Sequence, residues 1–319
     1  MSWEELLKEW RSAGPEMECH TSGSTGRPST IWLPKEEMKR SARRTIDFFG
    51  INSGSHLYSC IAPDFIGGKM MLIRGEVSGA RFSWEKPSNH PLKDYGGGRI
   101  DLISVVPSQL LYMLEHREEL PEIGAVLVGG AALNEWLRRR VGESGLRVYE
   151  SYGMTETASH IALRRVGLPQ EGFIPLEGIS ISLDARGCLT IEIEGWKKIT
   201  TNDIAEIDPE GRFRILGRAD NVIISGGIKI HPEEVEGRLA GVFDFDVMLT
   251  SRAHPKWGEE AVLIAETEPR NEEECRGMIL EKCKEVLPAY SVPKDVRFGK
   301  LSRTANGKLK RGARVARED

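Results

Sequence analysis

The chain has 319 residues, 39% of them hydrophobic and 29% charged, which suits a globular protein with one large domain and a smaller one. A net charge of −4 and a pI near 6.1 argue against nucleic acid or an anionic membrane surface as a general partner, and no apolar run approaches the ~18 residues that span a bilayer. Five scattered cysteines (Cys19, Cys60, Cys188, Cys275, Cys283), none in a CxxC pair, exclude a cysteine metal site and fit a reduced, cytoplasmic protein.

The opening MSWEELLKEW reads as an amphipathic acidic helix, without the basic-then-apolar order of a signal peptide. Next comes HTSGSTGRPS, His20 to Ser29. Gly23 and Gly26 open backbone conformations closed to residues with a Cβ, and successive N–H groups in such a turn can converge on an anion. Thr21, Ser22, Ser24 and Thr25 add hydroxyl donors and Arg27 a fixed charge. The stretch reads as a loop that wraps phosphate oxygens; the alternative is a polar surface turn. STIWLP (29–34) reads as a strand, Lys35–Phe49 as a helix ended near Gly50, SHLYSCIA (55–62) as an apolar strand, and DFIGGKMMLIRGEV as a helix despite Gly67 and Gly68. DLISVVP (101–107) suits a buried parallel strand, followed by a helix over SQLLYMLEH with Ser108 as its N-cap. Ala125–Val128 reads as a strand, Gly129–Gly130 as a turn, and the next residues as a helix. LRVYESYGMTE repeats strand, loop and helix. Strands alternating with helices imply a parallel α/β sheet, in which ligands bind where loops leave the carboxyl ends of strands.

From about Gly178 the pattern changes to hairpins, one turning at Asp184–Gly187 and a second at Asp208–Gly211. Pro232 suits the first turn of a helix whose dipole favours Glu233 and Glu234. Strands near 243–249 and 261–266, a helix near 271–287 and a basic tail complete the chain. The expected fold is α/β: a large N-terminal domain, 1–218, with a parallel-rich sheet and β hairpins, and a small mobile α+β domain, 219–319.

Four stretches, TSGSTGRP, SYGMTE, TNDIAEIDPEGRFRILGRADNVIISGGIKIHPEEVE and RTANGKLKR, stand in the order and spacing of the adenylate-forming superfamily. The chain resembles its acyl-CoA synthetases over roughly residues 20 to 311. SYGMTETASHIALRR and PDFIGGKMMLIR resemble, more narrowly, the o-succinylbenzoate–CoA ligases of menaquinone synthesis. The resemblance implies ATP and Mg²⁺ as cofactors, coenzyme A as co-substrate and a small carboxylate as substrate. By the same resemblance Thr21, Ser22, Gly23, Ser24, Thr25 and Gly26 would hold the β- and γ-phosphates, Gly129 and Gly130 would let backbone approach adenine and acyl group, and Tyr152 would lie against the adenine. Thr155 would bond the α-phosphate, Glu156 would hold Mg²⁺, and Asp203, helped by Arg218, would accept the ribose hydroxyls. Asp220 would be a hinge, Ser225, Gly226, Gly227 and Lys229 would approach the CoA arm, and Lys308 would reach in from the small domain. Without the motifs each has a plainer reading: a core aromatic for Tyr152, a helix-start acid for Glu156, a turn cap for Asp203, solvated or structural charges for Arg218 and Lys308.

On a helix running on from Glu156, residues four apart would share a face, bringing His160 and Arg164 beside Glu156. His160 and Ser159 are then expected donors in the acyl pocket, a local helix histidine being the alternative. The chain departs from the family pattern at Ser29, where a lysine usually follows the loop, at Asn202, usually glycine, and at Ser302, usually proline. Family members also carry a far longer stretch ahead of the glycine loop than the roughly twenty residues here. An exposed apolar flank is the expected consequence, met by a homodimer or a pared-down scaffold. The activity expected is an acid–CoA ligase working through an acyl-adenylate. The alternatives are transfer to a carrier-protein thiol, or a non-catalytic nucleotide binder.

Overall fold

The computed structural model describes residues 1–21, 29–168, 172–303, 309 and 311. In chain order the elements are α1 (Trp3–Arg11), β1 (Glu16–His20), β2 (Thr30–Pro34), α2 (Lys35–Phe49), β3 (His56–Ser59), α3 (Ile66–Ser78), β4 (Arg81–Trp84), β5 (Ile100–Val105), α4 (Pro107–Glu115), β6 (Ile123–Val128), α5 (Glu135–Ser144), β7 (Val148–Met154), β8 (Ser159–Arg165) and β9 (Ile174–Pro175). There follow β10 (Ile179–Leu183), β11 (Cys188–Ile193), β12 (Lys198–Ile207), β13 (Phe213–Arg218), β14 (Ile223–Ser225), β15 (Ile228–Ile230), α6 (Pro232–Leu239), β16 (Val247–His254), β17 (Gly258–Ala265), α7 (Glu272–Val286) and β18 (Asp295–Phe298).

The central sheet runs β4-β3-β5-β6-β7-β8-β9. Its first five strands are parallel, β8 runs against them, and β9, antiparallel to β8, runs with them again. Its strands alternate between two cores, as a period of two requires. Leu102, Leu127 and Ile161 face one core, shared with Ile191 and Phe213 of the hairpin sheet. Ile103, Val126 and Val128 face the other, under Leu110 of α4 and Leu137 of α5. β10–β13 form the expected antiparallel hairpins, and their turns carry left-handed Gly187 and Gly211. β14–β18 form a separate sheet over α6 and α7, whose buried core draws only on residues from Ile223 to Val296.

α2 spans the expected residues, ended by Gly50 at φ 67°, and Pro232 opens α6. α1 packs Leu6 and Trp10 beside Met70 and Ile73 of α3. Its C-terminus is secured by Lys35, whose buried ammonium donates to the carbonyls of Glu9 at 2.7 Å and Ser12 at 2.8 Å. The ammonium thereby adds a charged donor at the end of the helix, where the Ser12 N–H and hydroxyl also donate to Glu9.

Two expectations fail. Pro107 is the first residue of α4 and Val106 its cap, so Ser108 is inside the helix; proline suits that first position because it has no N–H to leave unpaired. More consequential, no helix follows Glu156. Thr155–Thr157 is a single 3-10 turn, and the chain folds straight back as β8, antiparallel to β7. Glu156, His160 and Arg164 therefore share no helix face. The hairpin puts Ser159, Ile161 and Leu163 on one side of a strand and His160, Ala162 and Arg164 on the other. Arg164 turns instead to the buried carboxylate of Glu150 at 2.7 Å.

Candidate active site

The carboxyl ends of β6 and β7 stand side by side. Gly129 donates its N–H to the carbonyl of Val105, Gly130 turns at φ 90°, and Ser151 donates to the carbonyl of Val128 at 2.8 Å. The two expected strand exits, Gly129–Gly130 and Ser151–Glu156, thus form one rim. β1 arrives at the same rim. Thr155 donates its hydroxyl to the carbonyl of His20 at 3.3 Å, and the N–H of Thr21 closes on the carbonyl of Ser29 at 2.9 Å. Ser22, Gly23, Ser24, Thr25 and Gly26 lie outside the described residues, as does Lys308; the stem of the glycine loop does not, and it abuts Thr155.

Glu156 is half-buried and makes no hydrogen bond among the described residues, although the ammonium of Lys197 lies within electrostatic reach. Lys197 rests over the Trp196 ring at 3.8 Å, and burial draws its pKa down while Glu156 and Glu37 oppose that. Among the described residues no group of three or more His, Cys, Asp and Glu side chains gathers. Mg²⁺ held by one carboxylate and a nucleotide's phosphates needs no such cage, so a carboxylate left open at the rim is compatible with the ion.

Across the rim, Asp203 and Arg218 face each other on paired strands, Arg218 donating to Oδ1 of Asp203 at 3.3 Å. Oδ2 accepts the hydroxyl of Tyr152 at 2.6 Å. The Tyr152 ring packs against Phe213 and Phe173, at 5.2 and 5.8 Å between centroids. Burial, reinforced by Asp203, pushes its phenol pKa upward. Tyr152, Asp203 and Arg218 thus stand together. Asp220 lies in the 3-10 turn joining β13 to β14. Gly226 and Gly227, at φ 58° and 84°, make the two-residue turn of the β14–β15 hairpin, where both positions demand a left-handed backbone. Ser225 pairs across that turn, Lys229 projects exposed on β15, and the Gly226 N–H meets the carbonyl of Trp257.

Beside Thr155 lies a polar cluster that sequence reading captured only in part. Ser159 and His160 are buried. The Nε2 of His160 meets the Thr45 hydroxyl at 3.0 Å, and its Nδ1 faces a guanidinium nitrogen of Arg74 at 3.4 Å. The same nitrogen of Arg74 donates to Ser159 Oγ at 3.2 Å. Arg74, on α3, is 1% exposed, has no carboxylate partner among the described residues, and keeps a buried Nε with no acceptor. Burial draws its pKa down to about 9, so the group stays cationic near neutrality. A buried, unpaired cation is costly unless something anionic arrives. Arg74 and Thr45 were missed because both sit inside runs that read simply as helices. The usable signal was a cationic residue in KMMLIRGEV, a run with no polar face to receive it.

The backbone here is strained as well. Ala158 and Ser159 have φ of 54° and 104°, held by Ser41 Oγ on the Ala158 carbonyl and Thr157 Oγ1 on that of Ser159. Consecutive left-handed residues other than glycine persist only where their surroundings over-determine them, and such strain gathers at functional sites. Gly153 permits the fold-back: a Cβ there would stand 2.4 Å from the Cα of His160.

His160 supplies a pH test. Burial, with Arg74 adding to it, holds its pKa well below the ordinary 6.5. As pH falls through 6.5 the unfolded chain takes up this proton and the folded chain does not. Stability present above that pH is therefore lost below it, by up to about 1.4 kcal/mol per pH unit. We expect His160→Gln to flatten the fall in urea-unfolding stability between pH 7.5 and pH 5.5; an unaltered slope would locate the loss elsewhere.

A surface cavity of about 380 Å³ lined by Tyr58, Glu85, Lys86, His90 and Tyr95 contains none of these residues. Among the described residues no helix is long and apolar enough to cross a membrane.

Known folds agree with this geometry. The o-succinylbenzoate CoA synthetase of Bacillus subtilis, solved with its acyl-adenylate, is 24% identical and superposes with a TM-score of 0.79, over 92% of this chain and 67% of that one. The architecture is that of the adenylate-forming enzymes. An acyl-CoA synthetase (AMP-forming)/AMP-acid ligase II-like protein from Dyadobacter fermentans is 31% identical, covering 96% of this chain and 90% of that one, with a TM-score of 0.64. A 2-succinylbenzoate–CoA ligase of Listeria innocua is 28% identical over 338 residues, covering 96% of this chain and 71% of that protein. The AMP-binding enzyme family matches residues 14–181, and the chain belongs to that family.

Proposed function

We propose that this chain joins a carboxylic acid to coenzyme A in two steps through an acyl-adenylate, and that the acid is 2-succinylbenzoate. The observation that carries the reading is the contact of Thr155 with His20, which draws the stem of the glycine loop, Thr155 and Glu156 to one rim. In the first step a carboxylate oxygen of the acid attacks the α-phosphorus of ATP, the bond to the bridging oxygen breaks, and pyrophosphate leaves. Two anions must meet, so the barrier is largely electrostatic. Thr155 would hold the α-phosphate, the glycine-loop N–H groups the outer phosphates, and Lys308 the developing charge. Glu156 would hold Mg²⁺, which supplies Lewis-acid charge on the phosphate oxygens. Asp203 would take the ribose hydroxyls, exchanging its bond from Tyr152 for theirs, and Gly129 and Gly130 would line the adenine side. In the second step the CoA sulfur attacks the acyl carbonyl, the bond to the AMP oxygen breaks, AMP leaves, and the thiol proton passes to solvent.

We place the boundary between the large and small domains at 218/219. Rotation about Asp220 would exchange Lys308 for the Ser225–Lys229 hairpin, with Gly226 and Gly227 at its tip.

Arg74 is the argument for a dicarboxylate. With Ser159 and His160 it would hold the carboxylate that does not react, and a neutral His160 can donate one hydrogen bond while accepting another. The names of the Listeria and Bacillus relatives support the same acid. The test is a panel of carboxylic acids with ATP and CoA, read by AMP release. We expect 2-succinylbenzoate to lead and acids lacking its second carboxylate to trail; equal turnover of benzoate would remove the specificity claim. Transfer to a carrier-protein thiol remains the second reading, since the attacking pantetheine is the same. Pyrophosphate exchange without acyl transfer to CoA would favour it, and no exchange at all would indicate a nucleotide binder.

A further inference from the structure

Asn202, the residue before Asp203, has a side chain with a defined task. Asn202 Nδ2 donates to Oδ2 of Asp220 at 3.2 Å. Glycine could not make that bond. The same Asp220 oxygen accepts from Arg218 at 3.2 Å, while the other terminal nitrogen of Arg218 reaches Asp203. The Asn202 amide is itself oriented, because its Oδ1 accepts from Arg186 at 3.2 Å and Arg186 is held by Asp184 at 2.8 Å. On the other side of the turn, Asn221 donates to Glu233 at the start of α6. The Ala219–Asn221 turn is thus gripped by side chains from β12, β13 and α6. A nucleotide that draws Arg218 fully toward Asp203 leaves the Asn202 amide as the tie on Asp220 from the large-domain side.

We propose that Asn202 is a positioning residue for the hinge: its amide holds the Asp220 carboxylate and biases the small domain toward the orientation in which that hydrogen bond is made. The inference rests on the reading of Asp220 as the hinge of a two-step ligase.

The first readout is limited trypsin digestion of the full chain, following the fragment that ends at Arg218 by mass spectrometry. Cleavage there tracks how often the turn opens. An exposed hydrogen bond of this kind predicts a rise of about 2–10-fold in Asn202→Gly. Asn202→Asp, which sets a second carboxylate beside Asp220, should rise at least as much. The second readout is the ratio of adenylate formation to thioester formation from supplied acyl-adenylate. It should move by about 2–10-fold in Asn202→Gly, with the urea midpoint unchanged. Cleavage within twofold of the parent in both variants overturns the tie. Faster cleavage with an unmoved ratio overturns the positioning role. Failure of the underlying reading looks different: the unmodified protein would form no adenylate, or Asp220→Gly would leave the ratio untouched.

Discussion

Replacing Arg74 with methionine should raise the KM for 2-succinylbenzoate by about 10–100-fold while making the protein more stable. The two effects have one origin. The guanidinium is 1% exposed and touches Ser159 and His160 but no carboxylate among the described residues. In the free protein it is therefore a dehydrated charge without a counterion, and an apolar chain of similar length relieves that cost. In the complex it would make charge-assisted hydrogen bonds worth about 1.5–3 kcal/mol, which corresponds to the stated factor. We expect Tm to rise by about 2–4 °C for each kcal/mol recovered, and the kinetics of an acid with a single carboxylate to change little. His160→Ala should raise the same KM less, because histidine contributes a neutral partner. A fall in Tm without change in KM would make Arg74 a purely structural residue.

The second large effect concerns Lys308. Lys308→Ala should slow acyl-adenylate formation by about 10²–10³, the usual consequence of removing one donor from a site of developing negative charge. Thioester formation from supplied acyl-adenylate should stay near the parent rate, since the proposed rotation about Asp220 would carry Lys308 out of the site before that step. Rapid-quench measurement of each half-reaction separates the two. Equal losses in both would deny the lysine a step-specific role.

The element order was largely legible because the large domain is built from strong local signals. α2 is bounded by proline and a left-handed glycine, β6 is apolar throughout, and β5 is broken only by Asp101 and Ser104. The turns at Gly187, Gly211 and Gly226–Gly227 carry residues that only such turns favour. The recognition motifs located Thr155, Asp203 and Arg218, which the fold draws to one rim. What failed was the stretch after Glu156. TETASHIALRR has helix-like apolar spacing and few residues that oppose a helix, yet it becomes β8 because the open edge of β7 offers backbone partners and Gly153 lets the chains approach. That choice depends on a neighbour fixed by the whole sheet. Arg74 was hidden for the same reason, since its isolation arises only when α3 is enclosed by α1, α2 and β8.

Because β8 returns directly from the 3-10 turn, the residues proposed to sense the acid and those proposed to grip the nucleotide sit on one short, taut piece of backbone. Altering the enzyme's taste for acids at Ser159 or His160 would therefore disturb its hold on ATP. New substrate preferences should be reached more readily through Thr45 of α2 and Arg74 of α3, which would face the acid from outside that hairpin.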